Sequence, residues 1–379
     1  MPTNCDWLLE NDTMADATMT NGAMTRTAAP QARSGTAAAE AGVQAGRVIA
    51  ALKRCATQSP DPIFISIFVS VSIFFIASAL CVMGLSAPAR AQTQTPAQTR
   101  RELLHDIDAG QFRDAILLGQ QAVSRWPRDA QFRHYLGVAY FKGGDAKQAK
   151  DQLTRARELD PKDYATHFDL ALLLLSQSDY GGAAEELDAA IKIDSSNALA
   201  HVLLGRAYLN SNRSLQAVEQ FKTALKLDQA IKLGHYHLGF AYFSLGRNDE
   251  AIAEYKEELR RSGENPVVVG ALGHSLLASG KYDAAITYLQ RGTELEASNP
   301  DVWYDLGKAQ ALAGQAAQAE PSLRKAAELN PKDPSPHYQL ARVLEKLGKV
   351  EEARSERERF AELKKAQPPS AGVATGRDE

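Results

Sequence analysis

The chain has 379 residues, 44% of them apolar and 23% charged, which is the balance of a folded soluble protein able to bury a sizeable core. Its formal net charge is -3, and beyond residue 91 there are 37 basic against 40 acidic side chains, so the basic excess that phosphate contacts need is missing and nucleic acid is not an expected partner. Cys5, Cys55, Cys81 and all five methionines lie within the first 83 residues, which excludes a disulfide framework or a cysteine-based metal site after that point.

Residues 1–60 are rich in Ala, Thr, Gly and Asn and show no sustained apolar period. A stretch with so little to bury is expected to be disordered. Ile63 to Leu85 then runs for 23 residues without a charge, preceded by Arg47, Lys53 and Arg54 and followed by Ala89-Arg90-Ala91. Within residues 61–91 two readings compete: a cleaved signal peptide, from the small-residue triplet after the apolar run, and a transmembrane anchor, from a length that suits a spanning helix. In both, the upstream positive charge keeps the N-terminus in the cytoplasm and places the rest outside it, periplasmic or secreted, or held at the membrane. Leu80 before Cys81 argues against lipidation, because a lipobox needs a small residue there.

From Pro96 the chain falls on a 34-residue period. The twentieth position is alanine in all eight units: Ala115, Ala149, Ala183, Ala217, Ala251, Ala285, Ala319 and Ala353. The seventh is leucine in seven (Leu136, Leu170, Leu204, Leu238, Leu272, Leu306, Leu340), and the eighth is usually small, as in Gly137, Gly205, Gly239, Gly273 and Gly307. Tyr140, Tyr208 and Tyr242 stand at position eleven, Phe221 and Tyr255 at twenty-four, and Pro127, Pro161 and Pro331 at thirty-two. With these residues the chain resembles the tetratricopeptide repeat family, W-x2-L-G-x2-Y…A-x3-F…P, over residues 96–367. The units are 96–129, which is degenerate, 130–163, 164–197, 198–231, 232–265, 266–299, 300–333 and 334–367; a tail of residues 368–379, expected to be disordered, remains.

The periodicity has a physical reading of its own. Positions 4, 7, 8 and 11 share one side of a helix, and small residues at 8 and 20 let two helices approach closely. Each unit is therefore a helix pair that cannot cover its own apolar stripe, and the expected fold is an all-α solenoid of stacked pairs following a single N-terminal apolar helix. Position fifteen is Gly in six units and Ser178 or Asn212 in the others, the residue types that end a helix in the left-handed conformation. The last helix, with Glu351, Glu352, Arg354, Glu356, Arg357, Glu358 and Arg359 around Val350, Ala353, Phe360 and Leu363, reads as a cap. Four departures stand out. Glu102 and Gly119 make the first unit degenerate and prone to fray, Glu258 sits where a small residue is usual, and Pro321 predicts a late or weak helix start.

Positions 2, 5, 9 and 12 form a second face on the first helix of each unit. It carries Phe141, Phe168, Leu172, Arg206, Tyr236, Phe240, Phe243, Tyr304, Lys308, Tyr338 and Arg342. Aromatic anchors beside cations are the residue types that dominate peptide recognition, so this face is the expected partner-binding groove; packing between adjacent first helices is the competing role for the aromatics. The family's carboxylate clamp is not expected, because the corresponding positions hold His134 with Val138 and Phe168 with Leu172.

No catalytic residues, cofactor or metal are expected. His167, His201, His235 and His337 recur at position four, but on the stacking face and without the i, i+4 spacing of a helical zinc pair. Ser322-Leu-Arg-Lys325 lacks its companion motifs, and no phosphate loop, dinucleotide fingerprint or hydrolase elbow is present. The expected function is a protein-interaction scaffold holding a peptide segment of an envelope or secreted partner. The alternative is a regulatory or docking subunit of a transferase or protease on a separate chain.

Overall fold

The computed structural model describes residues 95–366; the leader, the apolar stretch Ile63 to Leu85 and the tail lie outside them. Among the described residues there are sixteen helices and no strand, in eight consecutive pairs: α1 (Pro96–Asp108) and α2 (Phe112–Arg125); α3 (Ala130–Lys142) and α4 (Ala146–Leu159); α5 (Tyr164–Ser176) and α6 (Tyr180–Ile193); α7 (Ala198–Asn210) and α8 (Ser214–Leu227); α9 (Gly234–Ser244) and α10 (Asn248–Ser262); α11 (Pro266–Ala278) and α12 (Tyr282–Leu295); α13 (Pro300–Leu312) and α14 (Ala316–Leu329); α15 (Pro334–Lys346) and α16 (Val350–Ala366).

Local chemistry sets the ends of these helices. The last residue of one unit caps the first helix of the next: the side chains of Asp129, Asp163, Asn197, Asn265, Asn299 and Asp333 each accept from backbone N–H groups in the first turn, which removes orphan donors. The reading of position fifteen holds in all eight units. Six glycines there have φ between +71° and +87°, and Ser178 and Asn212 adopt +59° and +58°.

Within a pair, position eight meets position twenty-four. A Cβ added to Gly205 would lie 2.6 Å from Phe221 Cε1, and one on Gly239 would lie 2.8 Å from Tyr255 Cε1. Backbone and bulky side chain thus close on each other without a gap. In the first unit Leu103 stands at position eight and Gly119 at twenty-four, and the space beside Gly119 is taken by Leu136 of the next unit; both helices form, with Leu103 and Ile107 buried in a cluster with Ala115 and Phe132. The expectation of a fraying unit rested on Glu102 and Gly119; Leu103, one residue after Glu102, is fully buried, and Leu136 lies against Gly119.

The position-four side chains tie units together. His167 lies between two acceptors, its Nδ1 2.6 Å from Glu186 Oε2 and its Nε2 3.0 Å from the Pro161 carbonyl. His201 bridges Gln220 and the Ser195 carbonyl in the same way, while Arg133 and Trp303 donate to the carbonyls of Pro127 and Ala297. All four carbonyls sit at position thirty-two of the preceding unit. The recurring histidines are therefore inter-helix ties, and among the described residues no group of three His, Cys, Asp or Glu side chains could hold a metal.

Two departures resolve differently from their expectation. Pro321 lies inside a continuous α14 that begins at Ala316, so the helix start is not delayed; the proline instead removes the donor for the Ala317 carbonyl in mid-helix. Pro321→Ala is expected to stabilise the protein by about 1–3 kcal/mol in denaturant titrations, and an unchanged midpoint would contradict that cost. Glu258 is buried and serves as a cap. Unit five is preceded by Ile231 where its neighbours have Asp or Asn, α9 starts late with Leu233 at φ 58°, and Glu258 Oε2 accepts from the N–H groups of His235 (3.1 Å) and Tyr236 (3.3 Å).

First helices also touch their counterparts in neighbouring units: α3 with α5, α7 with α9, α9 with α11, α11 with α13, and α13 with α15. No pair of second helices approaches to the same extent among the described residues. The first helices therefore line the inside of the bend and the second helices its outside. At the C-terminal end α16 buries only Ala353 fully, as the cap reading requires.

Candidate functional site

The inner face does not present its eleven expected residues equally. Phe168, Leu172, Arg206 and Tyr236 are buried, so these four pack between helices and are not available as an open lining. The reason is the nesting of first helices. Positions five, nine and twelve meet the next unit: His134 Nε2 donates to Asp169 Oδ2 at 2.6 Å, Phe243 packs edge-on against the ring of His274 with centroids 5.1 Å apart, and His274 Nδ1 donates to Asp305 Oδ2 at 2.6 Å. Side chains that the following helix covers become core.

Around Arg206, only 9% exposed, the packing is dense. The Tyr236 ring lies 5.3 Å from His237 and 5.8 Å from Tyr255, and Phe221 stacks on His237 at 5.5 Å. Burial pulls the Arg206 guanidinium down to about 10, with Tyr236 opposing the fall. Burial and the nearby Arg206 charge together push the His237 imidazole down to about 3, which keeps it neutral. Among the described residues the His237 Nε2 has no hydrogen-bond partner.

The other seven residues stay at least partly open. Phe141, Phe240, Phe243, Tyr304 and Lys308 are half-buried, while Tyr338, 46% exposed, and Arg342 are fully on the surface. Units seven and eight repeat one arrangement: Lys308 Nζ stands 5.8 Å from the Tyr304 ring centroid, and Arg342 Cζ stands 5.8 Å from that of Tyr338. Each is a position-five aromatic with a position-nine cation one turn later, close enough for cation–π attraction. Phe360 of α16 packs beside Tyr338 at 5.4 Å, so the aromatic surface continues round the end.

Sequence reasoning passed over His274, which occupies position nine of unit six and lies between Phe243 and Asp305. The hydrogen bond to Asp305 raises its pKa, against the effect of burial. Its only sequence signal was its register, the same as Arg206, Lys308 and Arg342. Asp301 at position two of unit seven has its pKa raised by burial and then by Asp305 and Asp333. In unit seven the inner face is thus acidic at position two and cationic two turns later, at Lys308.

A sequence profile of the tetratricopeptide repeat matches residues 102–149, 139–198, 202–266 and 271–334, and a second profile of the same description matches 310–368. No curated protein matches the sequence. Among solved structures the chain is similar to the Cut9–Hcn1 hetero-tetramer of the APC/C, with 19% identity and TM-score 0.49 over 66% of this chain; it spans about half, 49%, of that chain. It is also similar to YrrB, described as a TPR protein with an unusual peptide-binding site (23% identity, TM-score 0.43, 48% of this chain and 95% of that one), and to MamA (23% identity, TM-score 0.41, 43% and 94%).

Proposed function

The chain belongs to the tetratricopeptide repeat family, and from that premise we propose that it is a protein-interaction scaffold whose inner face, open in units seven and eight, holds a segment of another protein. The observation that carries this reading is the repeated pair Tyr304–Lys308 and Tyr338–Arg342. Exposed aromatic surface is costly to leave in water, and cations poised over rings, with no ion-pair partner among the described residues, keep their hydrogen-bonding capacity for a ligand. The uncharged run from Ile63 to Leu85 supports a place outside the cytoplasm. No described helix is long and apolar enough to cross a membrane.

Cross-linking in cells followed by capture of the full-length chain tests the reading. The comparison is a variant with Tyr304, Lys308, Tyr338 and Arg342 changed to alanine, all at least partly exposed and so replaceable with small effects on folding. We expect a small set of proteins captured by the native chain to be lost with the variant. Unchanged capture would show that partners use the outer face or the segments outside the repeats.

A further inference from the structure

We propose that His274 is a proton-controlled clasp that holds the first helices of units five, six and seven together on the inner face, closed at mildly acid pH and loosened at mildly alkaline pH. The clasp works whatever the inner face binds.

One imidazole touches three helices. His274 stands at position nine of α11; the ring of Phe243 on α9 packs edge-on against it with centroids 5.1 Å apart, and its Nδ1 lies 2.6 Å from Asp305 Oδ2 of α13. First helices touch one another far less than the two helices of a pair do, so a single tie is a large share of each junction. This tie can take up a proton from solvent, because the His274 side chain is 40% exposed while Asp305 is buried. His134 makes a like tie to Asp169 between α3 and α5 but is itself buried.

The charges that bear on His274 stand on α13. Asp305 and Asp301 favour the imidazolium and Lys308 opposes it; α9 presents the Phe243 ring, α12 meets α11 at Gly273 through Leu289, and among the described residues neither α10 nor α12 adds a charge. The hydrogen bond to Asp305 raises the imidazole pKa above its ordinary value of about 6.5, against burial. The stability that the imidazolium adds is therefore complete below pH ~6.5 and is lost as pH rises through the raised value. With the ring neutral, Asp301, Asp305 and Lys308 leave one negative charge in excess, and the two carboxylates lie one turn apart on α13; protonation of His274 cancels the excess. Tyr304 and Lys308 stand on either side of Asp305, so the placing of this stretch against the units before it follows the state of His274.

Hydrogen exchange of the full chain at pH 6.0, 7.0 and 8.5, read by mass spectrometry, tests this. A His274→Gln variant leaves the sequence of α13 unchanged, so the ratio of its exchange rate to that of the native protein over Pro300–Leu312 is free of the intrinsic effect of pH. We expect α13 to exchange about two- to fourfold faster in the variant at pH 6.0, the worth of one partly exposed ion pair, and the ratio to shrink by pH 8.5, while α7 keeps a ratio near unity throughout. Asp305→Asn, read over Pro266–Ala278 of α11, should show the same fall. His274→Gln, at a partly exposed position, decides by itself if Asp305→Asn does not fold. A ratio that stays constant from pH 6.0 to 8.5, whether at unity or above it, marks a merely structural contact and overturns the proposal; so does a ratio that grows with pH, or an equal change in α7.

Discussion

Replacing Glu258 by alanine is expected to destabilise the middle of the array by about 2–4 kcal/mol, the sum of a lost helix cap and of donors left unsatisfied in a buried place. In most units the cap comes from the last residue of the preceding unit, but here that residue is Ile231, whose side chain can accept nothing, and α9 starts only at Gly234. Glu258 reaches across from the second helix of the same unit to the N–H groups of His235 and Tyr236, and also accepts from Ser262 Oγ at 2.8 Å. Because a repeat array is stabilised between nearest neighbours, weakening unit five should split one unfolding transition into two. Glu258→Gln keeps an acceptor and should lose less. Guanidinium titrations of the two variants check this, and equal, small losses would contradict the capping role.

Acid should destabilise the native protein more than a His237→Phe variant. The native pKa of about 3 lies below the ordinary value of about 6.5 for an unfolded chain, so the unfolded state takes up a proton first as pH falls. Stability contributed by this group is therefore complete above pH ~6.5 and is lost progressively down to pH ~3, by about 1.4 kcal/mol per unit and at most about 5 kcal/mol. Phenylalanine preserves the stack on Phe221 and has nothing to titrate. The other histidines and the carboxylates are common to both proteins and cancel in the difference. Stabilities measured at pH 7, 5 and 4 should converge as the pH falls if the variant starts lower, or diverge in its favour if it starts equal; parallel pH curves would contradict the burial of a neutral His237.

The pairing of helices was legible in the sequence because it depends on side-chain size at fixed spacing: Gly205 against Phe221 and Gly239 against Tyr255 are visible as a small and a large residue sixteen apart. Left-handed turns were legible from one position, held by Gly in six units and by Ser178 and Asn212 in the other two. What the sequence could not rank is exposure along the inner face. Phe168 and Tyr338 share position five, yet the first is buried and the second open: α5 lies in the interior of the array with Tyr164 stacked on Phe168, whereas unit eight has no following unit among the described residues. Arg206 and Arg342 differ at position nine for that reason too. Glu258 was visible as a departure, but its role depends on an isoleucine 27 residues earlier and on the fold that brings α10 over the start of α9.

The central claim is that partners lie on the first helices of units seven and eight, and site-specific photo-cross-linking in cells locates them most directly. A photoreactive residue would replace Tyr304 or Tyr338 on the inner face, and, as the control, exposed Thr287 on the outer helix α12. The account predicts one discrete set of adducts from the two inner positions and none from Thr287; adducts from Thr287 with silence at Tyr304 and Tyr338 would contradict it.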